Sequence, residues 1–281
     1  MIIAIVGLGL IGASFAKALR QVGGHTILGV EKSPEVSKKA LEQRVVNRII
    51  GPDGLVDADL TLAALYPEDT IAFFLQNIKC LKKGSIVADT CGIKAKVVDA
   101  LDAPLTEAGI RYVGTHPMAG REFSGIDYSL ADLYQGASFI ITPTPRTDQS
   151  AVKTLSSLAL EIGFEKVVSA SPEEHDQIIA YTSQLAHVVS NAYIKSPTLK
   201  LEKGFSAGSF KDLTRVAKCN PEMWTSLFLD NREALLCEID YLTARLSEYR
   251  AALAEENPVV LQRLLQEGND LKEWSLKNHK R

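Results

Sequence analysis

Residues 2–12 read IIAIVGLGLIG, and this stretch decides the fold. The apolar, β-branched run at residues 2–6 predicts a strand that is buried on both faces of a sheet. The G-x-G-x-x-G pattern that follows it opens a helical stripe, which is the context of a dinucleotide-binding turn. Such glycines permit a tight turn, the approach of a pyrophosphate and close helix–strand contact. The candidate cofactor-binding residues are Gly7, Leu8, Gly9, Leu10, Ile11 and Gly12.

Glu31 follows a second apolar strand, at residues 26–30. A carboxylate at this position can accept hydrogen bonds from both hydroxyls of an adenosine ribose and repels a 2′-phosphate, so it favours NAD over NADP. Lys32 and Ser33 weaken that preference, because they could bind a phosphate. The alternative is a glycine-rich turn without a ligand and a glutamate on the surface.

Strand and helix signals alternate up to residue 169. Further strands are predicted at 61–65, 85–88, 111–114, 139–142 and 166–169, and helices at 69–78, 94–101 and 149–162. This order predicts a mostly parallel sheet. From Ser171 onward only helix signals occur, beginning with the capped start Ser171-Pro172-Glu173-Glu174. We therefore expect an α/β Rossmann-type doubly wound domain at 1–171 and an all-α domain at 172–281.

A second helix start, Asn220-Pro221-Glu222, opens a long apolar stripe. The stripe predicts one helix well beyond 25 residues, which is long enough to pack against a partner chain. We therefore expect a homodimer through the C-terminal half.

Composition limits the classes of partner and compartment. The 281 residues carry 31 Lys and Arg against 34 Asp and Glu, a net charge of −3, so nucleic acid and anionic membranes are poor candidate partners. The four cysteines lie far apart, which indicates neither a zinc site nor a disulfide framework. The uncharged start lacks a preceding Lys or Arg and is broken by glycines, so it does not predict a signal peptide. We expect a cytoplasmic protein without a metal.

His116 follows the predicted strand 111–114 directly. The carboxyl ends of strands in an open parallel sheet form the ligand crevice, so the imidazole should face the cofactor. A neutral histidine there could take a proton from a substrate hydroxyl as hydride leaves the adjacent carbon. The alternative is a histidine that only hydrogen-bonds a loop.

Further candidates lie in the helical half. His175 and Asp176 begin the capped helix, and His187 continues one face of it with Asp176, Ala180 and Ser183. Ser209-x-x-Asp212 predicts another capped start, with Arg215 one turn later. Arg215 could grip a substrate carboxylate through two hydrogen bonds, or it could form an ordinary surface salt bridge with Asp212.

Three segments together resemble one enzyme family. They are GLGLIGAS at 7–14, GTHPMAGREFSG at 114–125 and GSFKDLTRVAKCNPEMW at 208–224, and they resemble the prephenate/arogenate dehydrogenases of tyrosine biosynthesis. The resemblance implies NAD(P)-dependent oxidative decarboxylation of prephenate or arogenate. It also implies a nucleotide-binding N-terminal domain, a helical C-terminal dimerisation domain and no separate regulatory domain.

The resemblance also assigns roles to residues. It makes His116 the catalytic histidine at the ring hydroxyl, Arg215 the ligand of a substrate carboxylate and His187 part of the pocket lining. It implies a polar network at the pocket entrance, formed by the acidic residues Glu122, Asp176 and Asp212 with Arg215 as part of it. It also puts Trp224 near the dimer contact.

Gly92 departs from the family pattern. The family commonly has D-x-x-S-x-K, whose Ser hydrogen-bonds the substrate hydroxyl, whereas residues 89–94 read DTCGIK with Gly92 at the Ser position. Glycine offers no side-chain donor. This leaves open an NAD-binding regulatory protein that has lost catalysis. Another two-domain NAD(P) dehydrogenase, acting on a β-hydroxy acid or an imine, is a further alternative.

Overall fold

The computed structural model describes residues 1–121 and 123–278. The strands in these residues are β1 (Ile2–Val6), β2 (Thr26–Val30), β3 (Arg48–Ile49), β4 (Leu60–Ala63), β5 (Ile86–Asp89), β6 (Arg111–Pro117), β7 (Ser138–Thr142) and β8 (Lys166–Ser169). The α-helices are α1 (Leu10–Val22), α2 (Pro34–Glu42), α3 (Pro67–Asn77), α4 (Ala95–Glu107), α5 (Gln149–Glu161), α6 (Pro172–Ile179), α7 (Leu185–Tyr193), α8 (Gly208–Thr214), α9 (Pro221–Asp230), α10 (Arg232–Ala254) and α11 (Pro258–Asn278).

The strands form one sheet in the order β3-β2-β1-β4-β5-β6-β7-β8. Neighbouring strands are parallel except β6 and β7. The predicted Rossmann-type, mostly parallel sheet is therefore confirmed. The strand order reverses at β1, and the crevice beyond the carboxyl ends of β1 and β4 is where such sheets bind ligands.

Alternating side chains of β1 build the core on both faces of the sheet. Ile3 and Ile5 belong to one buried cluster, which α1 and α5 cover. Ala4 and Val6 belong to a second cluster, covered by α3 and α4. Because successive side chains of a strand point to opposite faces, an uncharged run is what a strand between two helix layers requires.

β6 is longer than the sequence predicts. Its last residues pair antiparallel with β7, from Gly114 opposite Thr142 to Pro117 opposite Phe139. The hydrogen bonds to β7 keep the chain extended beyond the predicted end at Gly114. His116 therefore lies within the carboxyl end of β6 rather than in a loop after the strand.

After β8 the described residues form only helices, and two predicted helix starts are confirmed. Ser171 Oγ accepts a hydrogen bond from Glu174 N at 3.1 Å, and Asn220 Oδ1 accepts one from Met223 N at 3.1 Å. Each side chain satisfies a backbone N–H of the first helical turn that would otherwise lack a partner.

The prediction of one long helix from Asn220 is wrong. α9 ends at Asp230 and a new helix begins at Arg232, because Asn231 leaves the helical conformation with φ −115° and ψ 29°. Asn231 Nδ2 donates to Asp176 O at 2.9 Å and to Gln184 Oε1 at 2.8 Å. These contacts are tertiary, so local sequence could not predict the break.

The predicted helix start at Ser209 is also wrong. α8 begins at Gly208, and the preceding residue, Ala207, has the extended backbone of an N-cap, with φ −118° and ψ −169°. Ser209 and Asp212 consequently lie inside the helix, where the Ser hydroxyl is too late in the chain to cap the first turn.

A single π-helical turn, Ala180–Gln184, joins α6 to α7. The prediction of one continuous α-helical face through Ser183 does not hold, since a π turn widens the helix and shifts the residues after it. Gln184 is buried in this turn, whereas Ser183 is partly exposed.

The chain divides into two compact units. Met1–Asn231 contains the sheet and α1–α9, and the second unit begins at Arg232. Within the second unit, Tyr249 of α10 donates its hydroxyl to Leu264 O of α11 at 3.1 Å. The expected boundary near residue 171 follows the change from strands to helices and stays a prediction. None of the described helices is long and apolar enough to cross a membrane.

Candidate active site

The glycine turn has the shape that its sequence predicts. Gly7 has φ +85°, and a Cβ there would lie 2.6 Å from Ala64 O. A Cβ on Gly12 would lie 2.0 Å from Gly7 O, so both positions require glycine. At Gly9 an added Cβ would meet nothing within 4 Å. The turn is therefore packed on its inner side and open at the N-terminus of α1, where backbone N–H groups can receive a phosphate.

Glu31 lies against the same turn. Its Oε2 accepts a hydrogen bond from Leu8 N at 2.9 Å, and its Oε1 accepts one from Ser33 N at 2.9 Å. These bonds fix the carboxylate between the glycine turn and the start of α2. Each carboxylate oxygen retains capacity for a further donor, such as a ribose hydroxyl. The residues present thus fit a dinucleotide.

His116 is part of a chain of three polar side chains. Its Nδ1 lies 2.9 Å from Nε2 of His175, and the Nδ1 of His175 lies 2.7 Å from Oδ1 of Asp176. His175 is 3% exposed and Asp176 is 6% exposed, so the chain runs from the crevice into the interior. His175 is 59 residues away from His116 in sequence, and the packing of α6 against the start of α4 brings them together.

The surroundings keep His116 neutral. Burial lowers the pKa of His116 well below its usual value of 6.5, and the nearby His175 and Lys94 lower it further. An imidazole with this pKa is unprotonated at neutral pH and can accept a proton. The ring thus has the charge state that a base or hydrogen-bond acceptor needs.

A buried ion pair stabilises the backbone next to His116. Lys94 Nζ contacts the Asp89 carboxylate, and it donates to Thr115 O at 2.7 Å. Tyr112 donates its hydroxyl to Asp89 Oδ2 at 2.9 Å. Because Thr115 precedes His116, this network joins the carboxyl ends of β5 and β6 and fixes the backbone that carries the imidazole.

Gly92 lies beside the free edge of the imidazole. A Cβ on Gly92 would be 3.9 Å from His116 Nε2 and 4.0 Å from Leu227 Cδ2 of α9. Neighbouring side chains do not supply the missing donor, since Thr90 Oγ1 donates to Ala63 O at 3.1 Å and Cys91 Sγ lies 3.4 Å from Thr70 Oγ1. The space at Gly92 is therefore open toward Nε2.

The remaining candidates His187 and Arg215 lie on α7 and beside it. The ring of His187 stacks on Trp224, with centroids 3.7 Å apart. Arg215 begins the turn after α8, and Asn191 of α7 holds that turn by donating to Ala217 O at 3.3 Å. Because Asn191 lies one turn after His187, Arg215 is carried beside the same stretch of α7.

The expected acidic network places Asp176 at the pocket entrance, and this part of the expectation is wrong. Asp176 lies in the interior, where Oδ1 accepts from Lys94 N at 2.7 Å and Oδ2 accepts from Ala95 N at 2.8 Å. Asp212 is exposed on α8. Glu122 lies outside the described residues.

His175 is a site residue to which the sequence analysis gave no role. The available signal was its position at the start of a capped helix, directly before Asp176. That signal places His175 on α6 but does not specify the strand end against which α6 packs.

Family models match both halves of the chain. Residues 15–168 match the model described as prephenate dehydrogenase, nucleotide-binding domain, and residues 171–267 match prephenate dehydrogenase, dimerization domain. The chain belongs to the prephenate dehydrogenase family. The family resemblance seen in the sequence is confirmed.

Individual members of the prephenate dehydrogenase family agree with this result. A cyclohexadienyl dehydrogenase of Zymomonas mobilis is 32% identical over 91% of this chain and 89% of its own length. A prephenate dehydrogenase of A. aeolicus, solved in complex with hydroxyphenyl propionate and NAD+, is 31% identical with TM-score 0.88, covering 98% of both chains. An arogenate dehydrogenase of Synechocystis is 29% identical with TM-score 0.83, covering 98% of this chain and 100% of its own.

Proposed function

We propose that the chain catalyses the NAD-dependent oxidative decarboxylation of prephenate or arogenate, with His116 as the base. The observation that carries the proposal is the neutral imidazole at the carboxyl end of β6, whose Nε2 faces the space at Gly92. The glycine turn and Glu31 lie at the same carboxyl edge of the sheet. Relatives named for prephenate, cyclohexadienyl and arogenate oxidation support the substrate class.

The residues divide the chemistry between them. NAD, when bound, supplies the acceptor for hydride from the ring carbinol carbon. His116 Nε2 takes the hydroxyl proton as the carbon–oxygen double bond forms. Arg215 binds a substrate carboxylate and His187 lines the pocket. The ring carboxylate leaves as carbon dioxide, the electron pair of the broken bond completes the aromatic ring, and His116 returns the proton to the ring oxygen.

The test is an assay with both substrates in parallel. We expect NADH to form with prephenate, with arogenate or with both, accompanied by 4-hydroxyphenylpyruvate or tyrosine as product. The ratio of the two kcat/KM values decides the preference. Absence of NADH and product with both substrates would exclude the proposed activity.

Cofactor choice is a further expectation. With its carboxylate fixed at the turn, Glu31 should repel the 2′-phosphate of NADP, so kcat/KM with NAD should exceed that with NADP by about tenfold or more. Glu31→Ser should reduce the ratio of kcat/KM with NAD to kcat/KM with NADP. Glu31→Gln should reduce the same ratio with less change in the size of the side chain. Steady-state rates with each cofactor measure the effect.

Lys32 provides the matched control for cofactor choice. It is the adjacent exposed residue, so Lys32→Ala changes a charge beside the same turn without touching the carboxylate. This variant should not improve the use of NADP. Equal efficiency of the unaltered protein with both cofactors would refute the role of Glu31.

Gly92→Ser should improve the enzyme. The new Cβ makes only ordinary contacts, and its hydroxyl can donate to the substrate oxygen beside His116. One such hydrogen bond is worth about 1 kcal/mol, so kcat/KM should rise about fivefold. Gly92→Ala fills the same space without a donor and should give no gain. Identical kinetics of the Ser and Ala variants would contradict the expectation.

We also propose how the chain assembles and where it acts. We expect a homodimer through the residues that follow the boundary near 171, because the matching family model is a dimerization domain and α10 and α11 expose Leu246, Leu253, Leu271 and Trp274. Light scattering at micromolar concentration should give twice the 30.6 kDa mass of one chain. The proposed enzyme works in the cytoplasm, where NAD is available.

A further inference from the structure

His175 and Asp176 form a chain of contacts behind Nδ1 of His116. The position of the Asp176 side chain is fixed, because its carboxylate accepts hydrogen bonds from the backbone N–H groups of Lys94 and Ala95 at the start of α4, at 2.7 and 2.8 Å. Its backbone carbonyl is held by Asn231 at 2.9 Å. An ionised carboxylate can only accept hydrogen bonds, so the contact with His175 requires a proton on Nδ1 of that ring.

The tautomer of His175 sets the direction of its hydrogen bond with His116. When His175 is neutral and its proton is on Nδ1, its Nε2 has only a lone pair. That nitrogen lies 2.9 Å from His116 Nδ1, so in this state His116 donates from Nδ1. The remaining nitrogen of His116, Nε2, then carries no proton and faces the space at Gly92.

We propose that His175 and Asp176 are positioning residues that hold His116 in the tautomer whose Nε2 is free to accept the substrate's hydroxyl proton. The proposal rests on the proposed function for its kinetic consequence, but the tautomer itself does not depend on the substrate. When Nε2 accepts the proton, the Nδ1–H bond to His175 becomes charge-assisted. His116 Nδ1 can then pass its proton to His175 Nε2, which leaves the positive charge on His175 next to the carboxylate of Asp176.

The surroundings explain why such support matters. A proton on His116 is opposed by burial and by Lys94, which together with His175 keep its pKa low. Among the described residues of this network, the Asp89 carboxylate contacts Lys94 Nζ and accepts the Tyr112 hydroxyl at 2.9 Å, so it is already paired. Asp176 is therefore the carboxylate that faces the imidazole pair from α6.

The first test is a direct measurement on the unaltered protein. With 15N-labelled histidine, the ring nitrogen shifts of His116 should show a protonated Nδ1 and an unprotonated Nε2 at neutral pH. His116→Asn assigns the signals. A protonated Nε2 in the resting protein would overturn the proposal. This result stands whether or not prephenate is a substrate, so it separates failure of the inference from failure of the proposed function.

The second test is kinetic. His175→Leu removes the acceptor for Nδ1–H, and we expect kcat to fall about thirtyfold while the KM of the substrate and the Kd of NAD change less than about threefold. His175→Gln places an amide oxygen where it can accept from His116 Nδ1, and it should recover most of kcat. His25→Gln, directly before β2, is the control and should leave kcat unchanged. A folded His175→Leu with unaltered kcat, or a folded His175→Gln no better than His175→Leu, would overturn the proposal.

Discussion

His116→Ala should lower kcat about a thousandfold while the KM of the substrate changes little. The reason is that a positioned base contributes about 10²–10⁴-fold, and it acts on a proton that moves only in the transition state. NAD binding should be unaffected, because the glycine turn and Glu31 follow β1 and β2 rather than β6. Steady-state kinetics with a titration of NAD separates these quantities.

The pH dependence provides an independent check on His116. Its pKa is lowered well below 6.5, so the ring remains unprotonated as the pH falls through 6.5. The kcat/KM should therefore stay level through that pH and fall only in more acidic solution, when the imidazole takes up a proton. Near-normal turnover in His116→Ala would contradict the assignment of the base.

Arg215→Ala should raise the KM of the substrate about a hundredfold and reduce kcat much less. Loss of a charge-assisted pair with a carboxylate costs about 3 kcal/mol, and the pair is present in both the ground state and the transition state. Arg215→Lys keeps the positive charge but loses the bidentate geometry. Its KM should therefore lie between that of the unaltered enzyme and that of Arg215→Ala.

Lys211 is the matched control for Arg215. It is an exposed cation on α8, one turn before Arg215, so Lys211→Ala removes the same charge from the same region. Its KM should stay close to that of the unaltered enzyme. If both variants raise KM equally, the effect of Arg215 is general electrostatic attraction rather than a specific contact.

The glycine turn and the parallel sheet could be predicted from sequence because their determinants are local. The pattern of residues 2–12 contains both the strand and the turn, and Ser171 and Asn220 cap their helices with their own side chains. The cofactor edge of the site follows from the same local pattern. His116 could be placed at a strand end on the same basis.

The rest depends on contacts between distant parts of the chain. β6 is extended through His116 only because β7 pairs with it, and α9 ends where Asn231 contacts Asp176 and Gln184. His175 reaches His116 through the docking of α6. The hydrophobic periodicity of a single segment carries no information about its contacts with distant residues.

The π turn at Ala180–Gln184 has a consequence for comparing relatives by alignment. A π turn holds one residue more than the α-helical turn it replaces, so deletion of one residue there would restore a regular helix. The π turn takes up its extra residue within the turn, so the residues after such a deletion would keep nearly the same face of the helix. His187 would then still lie against the ring of Trp224. A one-residue gap in this stretch therefore leaves this side of the pocket in place in any relative that retains the histidine.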